Sequence, residues 1–212
     1  FASMALAVTL YGRSVEEQGA LLTGPSLVTL AALLVPLVAL VLGHDTICGE
    51  RERNTLGLLL SMPVSRSELL VSKYLGRLLA MTLSVSLGLG LSLLVTDESS
   101  RYALLWLIGP TLLSGASFLA LGTLLSVLSS RQATSISLAV AAWFLLVFFY
   151  DMGLLGLLVM TDGALSTDAV SKLVAANPAG LFRMGMMQEF GAWAGSDKVG
   201  HVSMPSTALT TM

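Results

Sequence analysis

SLVTLAALLVPLVALVLG, residues 26–43, contains no charged side chain. A helix that crosses a bilayer needs about 20 mostly apolar residues, because the hydrocarbon layer is ~30 Å thick and a helix rises ~1.5 Å per residue. Three further stretches fit that pattern. LLAMTLSVSLGLGLSLLVT (78–96) and YALLWLIGPTLLSGASFLALGTLLSVL (102–128) are uncharged, and residues 134–160 carry only Asp151. The fold class that follows is all-α, a polytopic membrane helix bundle. Composition agrees: the 212-residue chain is 55% hydrophobic and 11% charged, with mean hydropathy +0.84. Soluble domains are roughly a quarter charged.

The ten residues FASMALAVTL at 1–10 are too few to span. They lack the basic start of a signal peptide, and the chain opens on Phe1. They read as the end of a first span whose beginning lies upstream. Residues 161–212 are less apolar and richer in Gly, Ser and Asp, and read as an outer loop with short helices. No linker divides the chain, so 1–212 reads as one membrane domain.

Several functions are excluded or disfavoured. Eleven basic against thirteen acidic residues leave a net charge of -2. That is no electrostatic footprint for nucleic acid. Cys48 is the single cysteine, which excludes an internal disulfide and a CxxC site. His44 and Cys48 are four apart, and even with Asp45 they make a poor metal site. No GxxxxGK[ST] phosphate loop and no GxSxG elbow is present. Apart from Asp151 the spans hold no acid, His or Lys, which disfavours an ion-coupled carrier. Energy for any transport would have to come from elsewhere.

Orientation follows from the Lys/Arg bias of short loops. Arg51, Arg53, Arg66, Lys73, Arg77 and Arg131 fall in 44–77 and 129–133, whereas the opposite short segments hold only Arg13 and Arg101. Segments 44–77 and 129–133 are therefore expected in the cytoplasm, and the chain after 160 outside. Tyr11, Trp106 and Tyr150 then fall near the outer interface and Tyr74 near the inner one, while Trp143 sits mid-span against another helix. Pro36 and Pro110 are expected kinks.

The segment HDTICGERERNTLGLLLSMPVSRSELLVSKYLGR, 44–77, has three parts. A charge cluster, GERER, leaves the membrane. Asn54 is a plausible N-cap for a short helix over NTLGLLLSM, with Leu56, Leu59 and Leu60 on one face and Pro63 as its stop. Ser65-Arg66-Ser67-Glu68 then forms a capping box for the next helix, with Val64 and Leu69 as a hydrophobic staple. Two readings are open for the short helix. It could lie on the membrane surface, or insert into a groove on a cytoplasmic partner.

ERERNTLGLLLSMPVSRSELLVSKYLG resembles the ABC-2 type permeases, the membrane subunits of ATP-driven transporters. Their pattern runs acid–x–x–x–Gly-Thr, a leucine-rich stretch, Pro–x–Ser-Arg, then Lys on the next helix. Glu50, Glu52, Thr55, Leu56, Leu59, Leu60, Pro63, Ser65, Arg66 and Lys73 match it, while Asn54 stands in place of Gly. The resemblance implies a six-span, type V exporter-like fold, of which about four spans are complete here. It makes 44–77 the region that couples to an ATPase subunit, through those residues apart from Lys73, and through Arg51. It places ATP and Mg on that partner, leaving this chain non-catalytic and without a cofactor.

YDMGLLGLLVMTDG (150–163) and NPAGLFRM (177–184) further resemble the NosY-like, copper-processing permeases of nitrous oxide reductase maturation, whose NPxDxFR pattern Gly180 departs from. This implies a homodimer in the bacterial inner membrane, embedded in lipid. A cytoplasmic ABC ATPase and a periplasmic accessory protein would join it, and the complex would serve copper-site assembly of a periplasmic reductase. An ABC-2 exporter of lipid, drug or polysaccharide is the alternative, and a membrane scaffold without an ATPase is the alternative of another class.

Asp151 lies about 17 residues from the inner edge, ~26 Å up an ideal helix. It reads either as a solvated helix end, with GLLGLLVM re-entrant or interfacial, or as part of an outer gate or partner contact with Tyr150, Asn177, Pro178, Phe182 and Arg183. Ser84, Gly88 and Ser92, and Gly122, Ser126 and Ser130, form small-residue ladders suited to helix packing. Met184, Met186 and Met187 could be soft copper ligands, but read more simply as apolar packing. No metal site is assigned.

Overall fold

The computed structural model describes residues 19–95, 98–161 and 166–193. The expected first-span end at 1–10, Tyr11, Arg13 and the tail 194–212 lie outside the described residues. Every described element is a helix. In chain order they are α1 (Gly19–Gly43), α2 (Cys48–Glu52), α3 (Leu56–Leu60), α4 (Arg66–Val95), α5 (Glu98–Leu128), α6 (Gln132–Met160), α7 (Thr167–Ala175) and α8 (Pro178–Trp193). Four helical stretches are long and apolar enough to cross a membrane: Val28–Glu52, Arg66–Leu94, Leu105–Leu128 and Gln132–Met160.

Each apolar stretch read from the sequence overlaps one of these, and each helix starts ahead of its stretch. The 30-residue α4 starts a dozen residues ahead of the expected span at 78. Its length, ~45 Å at ~1.5 Å per residue, exceeds a ~30 Å hydrocarbon layer by about ten residues, enough to carry Lys73 beyond it. The cause is local. Ser65 N–H donates to the Glu68 carboxylate at 2.8 Å, and Glu68 N–H donates to Ser65 Oγ at 3.2 Å, closing the capping box read from the sequence.

Helix α1 is the axis. It packs along α5 and also touches α4, α6 and α8. Half of its most apolar window is buried, against 11% for α6, which makes α6 peripheral. The core joins Val28, Val35 and Leu40 of α1 to Met81 and Leu89 of α4 and Phe118 of α5. Two helix backbones approach closely at a pair of glycines. A Cβ on Gly43 would sit 2.8 Å from the backbone of Gly122, and one on Gly122 would sit 2.9 Å from the Leu40 carbonyl. Only a residue without Cβ lets two helix backbones come this close.

The small-residue ladders are partly corrected. Gly88, Ser92, Gly122 and Ser126 are buried, but Ser84 and Ser130 are exposed. A step of four residues drifts about 40° around a helix, so a ladder of three leaves its own face. The buried stripe of α4 runs through Met81, Val85, Gly88 and Ser92 instead. Trp143 packs against another helix as expected: its indole N–H donates to the Leu33 carbonyl of α1 at 3.0 Å. Leu33 adjoins Ala32, whose carbonyl Pro36 leaves without its i→i−4 donor. Tyr74 similarly donates to the Ala116 carbonyl of α5 at 3.1 Å. Pro36 and Pro110 both lie inside continuous helices.

Candidate functional site

Two clusters stand at opposite ends of the bundle. The first is built from the charged segment. Asn54 is not an N-cap: its φ is +57°, the left-handed region. It lies just past the end of α2, where Asn54 N–H donates to the Arg51 carbonyl at 3.2 Å and Thr55 N–H donates to the Glu50 carbonyl at 3.1 Å. These two bonds are a Schellman C-cap. Glycine is the usual residue there, and asparagine tolerates it best among residues with a Cβ. The Asn-for-Gly departure thus keeps the turn geometry. Helix α3 is correspondingly shorter than 54–62, and Thr55 is its N-cap.

The Thr55 hydroxyl donates to the Glu50 carboxylate, which also accepts from Lys73 Nζ at 2.6 Å. Acid, Thr and Lys of the motif therefore meet at one carboxylate. Asp45 pairs with Arg77, which also donates to the Leu42 carbonyl. Arg51 Nη1 donates to the Ser129 carbonyl at 2.8 Å, just past the end of α5. The Glu52 carboxylate accepts from Gln132 N–H at 2.9 Å, at the start of α6. Arg131, the N-cap there, makes no side-chain cap bond. A cation at a helix C-terminus and an anion at an N-terminus both complement the helix dipoles.

Sequence reading took Ser126 as a packing position only, and missed that it and Ser135 hold α2. Ser126 Oγ accepts from the N–H groups of Ile47 at 3.0 Å and Cys48 at 3.1 Å, two donors at the start of α2. Ser135 Oγ donates to the His44 carbonyl at 2.6 Å. His44 and Cys48 sit at this helix end bonded to backbone carbonyls of Val41 and His44. Serines clustered at 126, 129, 130 and 135 were the available signal.

The outermost part is the α3 tip. Leu56 and Leu59 are half-buried, while Leu58 is 65% exposed and Leu60, Met62 and Val64 are also exposed. The expected face of Leu56, Leu59 and Leu60 is thus split, because α3 lasts only 5 residues before the turn into Pro63. Arg53, Pro63, Ser65 and Arg66 are exposed around the tip, and Val64 does not close over as a buried staple.

The second cluster forms where α6 winds a π-turn, Leu145–Phe149. A wider turn breaks the regular ladder. The buried Asn177 side chain, 1% exposed, donates to the Leu146 carbonyl. The same amide accepts from Ala179 N–H at 3.1 Å and so caps α8, with Pro178 at its first position. Tyr150 OH donates to the Leu173 carbonyl of α7, and Asp151 pairs with Arg183 of α8. Phe182 is buried beside them. The YD and NPAGLFR segments thus form one site. Asp151 is ion-paired and helical, and GLLGLLVM continues α6 to Met160 without re-entry. Gly180 has a structural reason: a Cβ there would lie 3.1 Å from the Val174 carbonyl of α7.

An open apolar cleft of about 370 Å³ flanks this site, lined by Leu145, Phe149, Tyr150, Gly153, Leu154, Leu157 and Leu173. On α7, Asp168 holds the Lys172 ammonium above the ordinary lysine value through a 2.8 Å contact. Met186 is buried in the core and Met184 half-buried, as apolar packing requires. The Met187 side chain lies outside the described residues. Among the described residues, no group of three or more His, Cys, Asp or Glu is placed to hold a metal ion.

Membrane-length helices, a capped charged segment with an apolar tip, and a polar knot at the far end are the features of a polytopic membrane protein. The chain belongs to the ABC-2 family of transporter proteins, whose family profile matches residues 2–191. It is a multi-pass permease of the inner membrane. It is 34% identical to "Probable ABC transporter permease protein NosY" of Pseudomonas aeruginosa, over 92% of this chain and 75% of the relative. It is 33% identical to a protein of the same name from Stutzerimonas stutzeri, over 87% of this chain and 71% of the relative.

Proposed function

We propose that this chain is the non-catalytic membrane subunit of a complex in which a separate cytoplasmic ATPase, holding ATP and Mg, docks on the α3 tip. The observation that carries the reading is the exposure of Leu58, Leu60, Met62 and Val64 between Arg53 and Arg66. An apolar knob rimmed by cations suits an apolar groove with acidic edges. The Lys/Arg bias puts this end in the cytoplasm.

The far-end site around Asn177, Asp151 and Arg183 is then periplasmic, and offers its surface to an accessory protein. With a second copy of itself, the permease would serve copper-site assembly of a periplasmic nitrous oxide reductase. The names of the relatives and the YD and NPAGLFR segments support that assignment. The test is a photo-crosslinker at the exposed Met62 of the same tip, in cells carrying the full-length permease and its operon. A cross-link to a Walker-containing ATPase, weakened by Leu58→Glu, is the expected result. Labelling of position 58 by an impermeant thiol reagent from the periplasm overturns it.

A further inference from the structure

Glu50, Arg51 and Glu52 read, in sequence, as charges available to a partner. The geometry assigns them elsewhere. Successive residues of a helix point about 100° apart, so three in a row address three directions. Glu50 turns to Lys73 of α4, Arg51 to the Ser129 carbonyl at the end of α5, and Glu52 to Gln132 N–H at the start of α6. Each charge suits what it meets: an ammonium, a helix C-terminus and a helix N-terminus. The helix start is fixed independently by Ser126 of α5, and the preceding turn by Asp45 to Arg77 and by His44 to Ser135. Its end is locked by the Asn54 turn to Thr55, the first cap of the tip helix, and Thr55 is tied back to Glu50.

We propose that α2 is a strut whose three charged residues are positioning residues and not ATPase contacts. It turns a displacement of the α3 tip into a simultaneous displacement of α4, α5 and α6. The inference rests on the docking reading above, since a strut needs a moving load. The tip without the strut would move a flexible loop. With it, the loop and the α5–α6 turn move together.

The experiment uses the full-length permease in complex with its ATPase. Spin labels at Met62→Cys and Ser84→Cys, in a Cys48→Ala background, report the distance from the tip to α4 with ATP and without it. Lys73→Glu and Glu50→Lys are compared with Leu58→Glu and with the charge-swapped pair Glu50→Lys/Lys73→Glu. The strut predicts that each single swap leaves the ATPase bound. Each should lower its permease-stimulated hydrolysis by about tenfold, the range of a typical coupling energy. Each should also uncouple the two labels, so that their distance changes with ATP instead of staying fixed. The double swap should restore both readouts, which a merely misfolded single variant cannot imitate. Release of the ATPase by Glu50→Lys as complete as by Leu58→Glu, with the double swap failing to recapture it, overturns the strut alone. Retention of the ATPase by Leu58→Glu overturns the docking reading, and the strut with it.

Discussion

The two ends of the bundle are held by different chemistry. At the charged end, one 5-residue helix reaches three long helices through half-exposed charges, the Glu50–Lys73 pair being 23% exposed on each side. At the far end, one amide that is 1% exposed joins the π-turn of α6 to the cap of α8. Exposed ion pairs contribute little, about 0–1 kcal/mol each, and re-form readily. A buried amide left without its partners costs about 1–3 kcal/mol per lost bond. The charged end is thus suited to being pushed, and the far end to keeping its shape.

The sharpest way to break that contrast is Asn177→Leu. It strands the Leu146 carbonyl and removes the α8 cap. A loss of about 2–4 kcal/mol is expected, one buried unpaired group plus one cap. Thermal unfolding in detergent measures it, and a shift no larger than that of Lys73→Met would erase the distinction between the ends. Arg183→Leu comes next. It leaves Asp151, whose side chain is 28% exposed, without its cation. Partial solvent access holds the cost to about 1–2 kcal/mol. Asp151→Asn in the Arg183→Leu background should recover part of it, and a double-mutant cycle on melting gives the answer. The smallest effect belongs to Asn54. Replacement by Gly should be neutral within about 0.5 kcal/mol, whereas Val should cost about 1–2 kcal/mol in the left-handed turn. Equal melting temperatures for the two variants would show that the turn is not held left-handed.

Legibility follows the range of each interaction. The spans were readable because bilayer burial imposes apolar length residue by residue. The capping box was readable atom by atom because its partners are three apart. Asn54 was misread because asparagine suits both ends of a helix, and only its φ decides which. The leucine face of α3 failed because the helix ends before its period can repeat. The meeting of Asp151 with Arg183, and of Asn177 with the π-turn, had no local signature. The two segments were singled out separately, and only helix packing brings α8 against α6. Likewise nothing in GERER says which charge faces which helix.

The π-turn has a kinematic corollary. It stores one residue more than an α-turn, and each α-residue accounts for about 100° of rotation. If Leu145–Phe149 rewound as plain α-helix with no residue removed, the segment beyond would swing by that angle as a rigid screw. Tyr150 and Asp151 ride on that screw together, so their bonds to Leu173 and Arg183 can only engage or release in unison. The far end keeps its shape only while that extra residue stays in the turn.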